Sequence, residues 1–259
     1  MKRTEVFYYL YIPDDTRSCQ WIWFLDEQLK LIRNSRLHDF AKINLLISGP
    51  LHFISLDGSF VFLKNGAKNE EAIPFYEKIQ EYVRFRYPFV SSFIFRDVSE
   101  PNLYEGFPLS VIYNLCKNED VNILYSHSKG ITRAQPSVFN WREVLNQKLI
   151  TEWKKCVSHL NDCDLVAMAD SVMADTIVSG NFFWSKSSYI RTLDDPLNVD
   201  LYIHQGLKDE IKNSPVSQRY AYECWIRSKN PKIAWTNNTN TSHYDSYYFL
   251  ENEEICLRT

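Results

Sequence analysis

The run Glu5-Val6-Phe7-Tyr8-Tyr9-Leu10-Tyr11-Ile12, almost uninterrupted in β-branched and aromatic residues and stopped by Pro13, constrains the fold more than any other segment. A strand with one wet face alternates apolar and polar residues. A strand without that alternation is covered on both faces, as the central strands of parallel sheets are. From Trp21 to about Leu37, Ile22, Leu25, Leu29 and Ile32 recur at three- and four-residue spacing with Glu, Lys and Arg between them, which predicts an amphipathic helix. Ile43-Asn44-Leu45-Leu46-Ile47 then reads as a second strand, ended by Ser48-Gly49-Pro50. Strand, helix and strand make one β-α-β unit, and its two strands run parallel.

The alternation continues along the chain. Phe60 to Leu63 predicts a short strand before the turn Lys64-Asn65-Gly66, and Ile73, Tyr76, Ile79 and Val83 mark a helix. Phe89 to Phe95 is a further apolar run. A helix from about Pro108 to Asn118 buries Leu109, Ile112, Tyr113 and Cys116, with Pro108 suited to the first turn. Val121 to Tyr125 follows as a strand. Trp141, Leu145, Leu149, Trp153, Cys156 and Leu160 share one face of a single long helix from Trp141 to Leu160, and Asp164 to Ala169 reads as the next strand. Together these predict an α/β fold with a mostly parallel, Rossmann-like central sheet flanked by helices. No low-complexity linker or internal repeat divides the 259 residues, so one domain with an irregular C-terminal region is expected, the run Thr236 to Ser246 being an exposed loop.

Composition narrows the function classes. The net charge is −3 with neither sign concentrated in a block, so there is no broad electrostatic footprint for nucleic acid or anionic lipid. Any phosphate this chain holds is held locally. No stretch reaches the roughly 18 to 20 apolar residues of a membrane span, and Met1-Lys2-Arg3-Thr4-Glu5 runs into an aromatic segment broken by Pro13-Asp14-Asp15, so a cytoplasmic location is expected. The six cysteines (Cys19, Cys116, Cys156, Cys163, Cys224, Cys256) are dispersed without a C-x-x-C pair and read as reduced thiols. The acceptor patterns at Asn237 and Asn240 are expected to carry no glycan in that compartment.

In an open parallel sheet a ligand sits beyond the carboxyl ends of the strands, so the residues just after each strand carry the information. They are Pro13-Asp14-Asp15, Ser48-Gly49-Pro50, His127-Ser128-Lys129-Gly130 and Ser179-Gly180-Asn181. The third group places a histidine, a hydroxyl, a lysine and a glycine in succession: the lysine suits a diphosphate as a point charge, and Gly130 lets backbone N–H groups approach phosphate oxygens. The competing reading is a solvated turn. Ser179-Gly180-Asn181 leads into Phe182-Phe183-Trp184, which suits either a polyhydroxyl ligand stacked on aromatic faces or a core strand after a turn. Asp170, Asp175 and Glu223 are the candidate bases, Glu223 lying in an aromatic, helical stretch where a carboxylate is partly desolvated. Glu105, just ahead of a helix, is read as a carboxylate that complements the helix dipole.

The order Tyr-x-His-x-Lys-Gly (Tyr125 to Gly130), Trp141-Arg142, Ser-Gly-Asn-Phe-Phe-Trp (Ser179 to Trp184) and Glu-x-Trp (Glu223 to Trp225) resembles small bacterial and viral glycosyltransferase-like proteins of GT-A type, over about residues 100 to 230. The resemblance implies a nucleotide-binding half over 1–120, a donor-sugar and acceptor half over 121–235 and a tail over 236–259. It implies transfer of a sugar from a nucleotide-sugar donor to a hydroxyl acceptor, a glycan or lipopolysaccharide by default. GT-A enzymes usually carry an Asp-x-Asp at the end of the fourth strand to hold a metal, whereas this chain has His127-Ser128-Lys129 there. That departure favours catalysis without a metal, and Asp170 and Asp175 are the ligands if manganese or magnesium takes part.

On this reading Asp14 and Asp15 lie near the nucleotide, and His127, Ser128, Lys129 and Gly130 hold the diphosphate. Ser179, Gly180, Asn181 and Trp184 frame the sugar and acceptor, and Glu223 or Asp170 is the base. The GT-B plan, with two facing nucleotide-binding halves, needs a longer chain. Three alternatives stand beside it: a phage-type glycosyltransferase acting on a hydroxymethylated DNA base, a non-catalytic carbohydrate-binding protein, and a hydrolase or phosphotransferase built on His127. The last lacks a P-loop, a G-x-S-x-G elbow and an H-E-x-x-H helix.

Overall fold

The structure, a computed structural model, describes residues 2–12, 20–49, 52–56, 59–62, 73–97, 105–128, 131, 136–168, 178–198 and 217–236. In chain order these form β1 (Thr4–Tyr11), α1 (Gln20–Asn34), β2 (Ala41–Gly49), β3 (His52–Leu56), β4 (Ser59–Phe62), β5 (Ile73–Pro74), α2 (Phe75–Arg86), β6 (Val90–Asp97) and α3 (Gly106–Asn118). There follow β7 (Asn122–His127), α4 (Pro136–Asn146), α5 (Trp153–His159), β8 (Leu165–Ala167), β9 (Phe183–Lys186), α6 (Ser187–Ile190), α7 (Ser217–Trp225) and β10 (Ile233–Trp235).

Seven strands form one sheet in the order β10-β8-β9-β7-β1-β2-β6. Counted from the β6 edge by their sequence in the chain, its members run 3-2-1-4-6-5-7. β1 pairs in parallel with β2 and β7, β2 with β6, and β8 with β10, while β9 alone runs antiparallel to both its neighbours. This is the expected mostly parallel, Rossmann-like α/β arrangement. A small antiparallel sheet, β4-β3-β5, stands apart from it.

β1 is buried along nearly all its length because both faces are covered. Its even-numbered side chains, Val6, Tyr8 and Leu10, pack with Phe24, Leu25, Leu29, Leu145, Leu149 and Trp153, that is, against α1, α4 and α5. Its odd-numbered side chains, Phe7 and Tyr9, pack with Leu109, Ile112, Ala221, Tyr222 and Trp225, against α3 and α7. The continuous apolar run is thus two period-two stripes feeding two cores. Each fully buried large side chain in them contributes roughly 1.5–3 kcal/mol.

The single helix expected from Trp141 to Leu160 is divided. A π-helical turn, Gln147–Thr151, separates α4 from α5. Trp141, Leu145, Leu149 and Trp153 follow one another at intervals of four, and on a 3.6-residue helix three such steps drift about 120° around the axis. The wider turn takes up that drift and keeps the stripe on the core. It also loosens carbonyls from the helix ladder: Leu149 O accepts the Trp184 indole N–H at 2.7 Å and Lys148 O accepts the Cys156 thiol at 3.4 Å.

Candidate functional site

The carboxyl ends of β1, β2, β6, β7, β8 and β10 lie on one edge of the sheet, and the start of β9 joins them because β9 is reversed. β7 extends two residues beyond the predicted Tyr125, so His127 is its last residue. Side chains alternate along β7: Ile123 and Tyr125 belong to the core beneath α3 and α7, and His127, in the same phase, stacks beside the Tyr125 ring at a centroid distance of 6.1 Å. Phe182 closes edge-on against the imidazole at 5.0 Å.

His127 is buried, and its Nε2 lies 2.8 Å from the backbone oxygen of Gly180. A carbonyl only accepts, so Nε2 carries the proton and donates, leaving Nδ1 as the ring's other polar atom. Glu105 Oε1 stands 3.7 Å from the same nitrogen. The other oxygen of Glu105 accepts from the Tyr125 hydroxyl at 3.4 Å and from the Asn181 amide at close range. The Asn181 amide also reaches the Tyr222 carbonyl at 3.5 Å, while its own oxygen is buried without a hydrogen-bond partner among the described residues. Glu105, Tyr125, His127 and Asn181 are therefore one buried polar cluster, contributed by the start of α3, the end of β7 and the turn before β9.

Ser179–Asn181 form a 3-10 turn in which Gly180 (φ 77°) and Asn181 (φ 52°) are both left-handed. Glycine takes that conformation without steric cost and asparagine is the next most tolerant residue. The double reversal turns the Gly180 carbonyl to His127 and the Asn181 side chain to Glu105. Across the cluster, the Tyr222 ring lies so close to Gly106 that a Cβ there would sit 2.7 Å from its Cζ and hydroxyl. Only glycine lets α3 begin beneath that ring.

The electrostatics follow from burial. The Tyr125 phenol is pushed far above its ordinary value, first by desolvation and then by the charge of Glu105, with Tyr9 and Glu223 adding to it. Tyr9 is raised as well, mainly by burial, against a lowering hydrogen bond from Ser48. Both stay neutral hydroxyls.

Ser128 is stitched to β1: its N–H donates to Tyr9 O at 2.9 Å and its Oγ accepts from Tyr11 N at 3.0 Å. Glu223 is buried in α7, where its carbonyl accepts from Val178 N at 3.2 Å and ties the helix to the turn before Ser179. Glu105 stands ahead of α3 as its sequence reading expects, and it does more besides. It occupies the N-cap position of α3 but makes no side-chain cap bond there, its carboxylate being turned onto Tyr125 and Asn181. Trp184 is corrected. It opposes Leu124 and Val166 across the sheet and is fully buried in the core beneath α4 and α5, with its indole on Leu149 O, on the opposite face from Tyr125. It cannot frame a ligand in this cluster, and for Phe183 and Trp184 the core-strand reading holds. Asp14, Asp15, Lys129, Gly130, Asp170 and Asp175 lie outside the described residues, as does the Ser179 side chain. Sequence reasoning missed Tyr9 and Tyr222, whose only signal was their place among aromatic residues. Arg142 sits beneath the other face, its guanidinium 4.3 Å from the Phe24 ring and 3.1 Å from Glu27.

Among the described residues no group of three or more His, Cys, Asp or Glu side chains is placed to hold a metal ion, and no helix is long and apolar enough to cross a membrane. No curated protein matches the sequence. Among solved structures, HddC from Yersinia pseudotuberculosis is similar at 12% identity and a TM-score of 0.39 over 73% of this chain and 79% of its own. A putative nucleotide-diphospho-sugar transferase from Desulfovibrio desulfuricans G20 is similar at 8% identity and a TM-score of 0.38, covering 100% of this chain and 98% of its own. 4-Diphosphocytidyl-2C-methyl-D-erythritol synthase is similar at 11% identity and a TM-score of 0.38, covering 96% and 97%. Residues 96–248, more than half of the chain and inclusive of Glu105, His127, Asn181 and Glu223, match the family described as Domain of unknown function (DUF8361), and the chain belongs to that family.

Proposed function

We propose that this protein transfers a sugar from a nucleotide-sugar donor to a hydroxyl acceptor, a glycan or related glycoconjugate. The observation that carries the reading is the Glu105–His127–Asn181 cluster at the carboxyl edge of the sheet, where β7 and the start of β9 meet. Ligands of open α/β sheets bind at this edge. The strand order 3-2-1-4-6-5-7, with its one reversed strand, brings a polar turn to the same edge as the histidine.

In the reaction the acceptor oxygen bonds to the anomeric carbon as the bond from that carbon to the diphosphate breaks. The hydroxyl proton passes to a carboxylate, Glu223 or Asp170, and the electron pair leaves with the nucleoside diphosphate. His127 through Nδ1, Lys129 and the Gly130 backbone meet the charge that develops there. Asp14 and Asp15 flank the nucleotide, Ser128 stands at the end of β7, and Ser179, Gly180 and Asn181 border the sugar. Lys129→Ala is expected to lower kcat roughly a hundredfold with a smaller change in donor affinity. Equal loss of affinity at unchanged kcat would contradict that role.

The test is product analysis with a panel of nucleotide sugars and mixed saccharide acceptors. Release of a nucleoside diphosphate, dependent on acceptor, supports the proposal. Release of pyrophosphate from a nucleoside triphosphate and a sugar phosphate would replace it with nucleotidyl transfer, and binding of saccharides without turnover would replace it with a carbohydrate-binding role.

A further inference from the structure

At the opposite edge of the sheet, β1 and β7 begin and the reversed β9 ends, side by side. Thr4 is in register with Asn122, and Asn122 with Lys186. Lys2, two residues before Thr4, Asn122 and Lys186 therefore form a row across three adjacent strands. α5 and the residues after it supply the facing wall, and together they enclose an open groove of about 440 Å³ lined by Lys154, Ser158 and Asn161 as well as the row. β7 separates this groove from His127 by about 17 Å, five residues at about 3.3 Å each.

Three properties make the groove more than a solvated surface. Among the described residues its lining carries three lysines and no carboxylate. The nearest acids lie outside that lining: Asp120 faces Lys2 at 2.6 Å and Asp164 faces Lys186 at 3.2 Å, pairs exposed enough to open at little cost. Lys154 has only the Trp153 ring, 5.7 Å away, for company among the described residues. Asn122 is 6% exposed and lines the groove.

We infer that this groove binds a small phosphate-bearing anion, at a second site separate from the edge where transfer is proposed. The lysine ammonium groups supply charge-assisted hydrogen bonds to the phosphate oxygens and the Asn122 amide donates to one of them. The inference does not depend on the transferase reading.

The experiment titrates inorganic phosphate, and separately glucose 6-phosphate, into the full-length 15N-labelled protein at constant ionic strength set with sodium chloride. The amide resonances of Asn122, Lys154 and Lys186 are expected to shift saturably. Affinity is expected to fall at least tenfold in Lys154→Glu and in Lys186→Gln, and to persist in His127→Ala. Both lysine variants lie at or near the surface, and their unperturbed spectra away from the groove serve as the folding control. Tighter binding of glucose 6-phosphate than of phosphate identifies an organic phosphate as the ligand, and equal binding identifies the free ion. No saturable shift, a shift indifferent to both lysine variants, or a shift abolished by His127→Ala would overturn the inference.

Discussion

Glu105 shows how one residue's role is set by what the chain places opposite it. Its position before a helix suggested service to the helix dipole, yet its carboxylate accepts from Tyr125 and Asn181 and stands 3.7 Å from the His127 ring. Glu105→Gln puts an amide N–H₂ where donors already point, and is expected to destabilise the fold by about 1–3 kcal/mol, read by urea unfolding. Gly106→Ala drives a Cβ into the buried Tyr222 ring and is expected to cost about 1–3 kcal/mol. Gly180→Ala, at φ 77°, is expected to cost about 1–2 kcal/mol. Cys116, Cys156 and Cys224 are buried, and desolvation pushes each thiol up to about 12. They stay protonated at pH 8, and mass spectrometry after iodoacetamide treatment of the native protein is expected to find all three unmodified. Rapid alkylation of any of them would show that its core is open.

At the scale of elements, helix and strand identities were legible wherever the apolar period was long, and direction was not. Phe182-Phe183-Trp184 reads identically in a parallel or an antiparallel strand, so nothing in the sequence showed that β9 is reversed or which aromatic faces which core. The consequence was the misplacement of Trp184, whose replacement by Ala is expected to cost about 3–5 kcal/mol in stability. The four-residue spacing of Trp141 to Trp153 did hold a clue to the π-helical turn, in its drift from the 3.6-residue period.

The docking of α1 on α2 depends on Asp26, which accepts from Tyr82 at 2.7 Å and Tyr87 at 2.8 Å and pairs with Lys30 and Arg86. Burial alone would raise its pKa, but the two hydroxyls and two cations outweigh it, and the folded value lies below the ordinary one. The folded state therefore binds fewer protons here than the unfolded chain. This contribution is fully present above the unfolded carboxylate range, near about pH 4, and is lost as pH falls through the folded value. Urea midpoints measured from pH 7 to pH 3 are expected to fall more steeply for the wild type than for Asp26→Asn. Parallel curves would remove Asp26 from the account.

For the whole molecule, the mostly parallel sheet was legible because continuous apolar strands alternating with amphipathic helices admit few other solutions. The placement of His127 and Asn181 at the carboxyl edge and of Glu223 on a buried helical face was legible from strand ends and from the aromatic helical stretch around Glu223. The union of His127 with Glu105 and of Gly180 with His127 was not, since it depends on a reversed strand and on where α3 starts in space. The account's central claim is that this union forms the donor site of a nucleotide-sugar transferase. The most direct measurement is a thermal-shift panel of nucleotide sugars and nucleoside diphosphates, run in EDTA and with manganese, on the wild type and His127→Asn. A ligand that binds only the folded state raises the Tm by mass action. The account predicts that one nucleotide series raises the Tm in EDTA and that the rise is lost in His127→Asn. No rise with any nucleotide, with or without manganese, would contradict it.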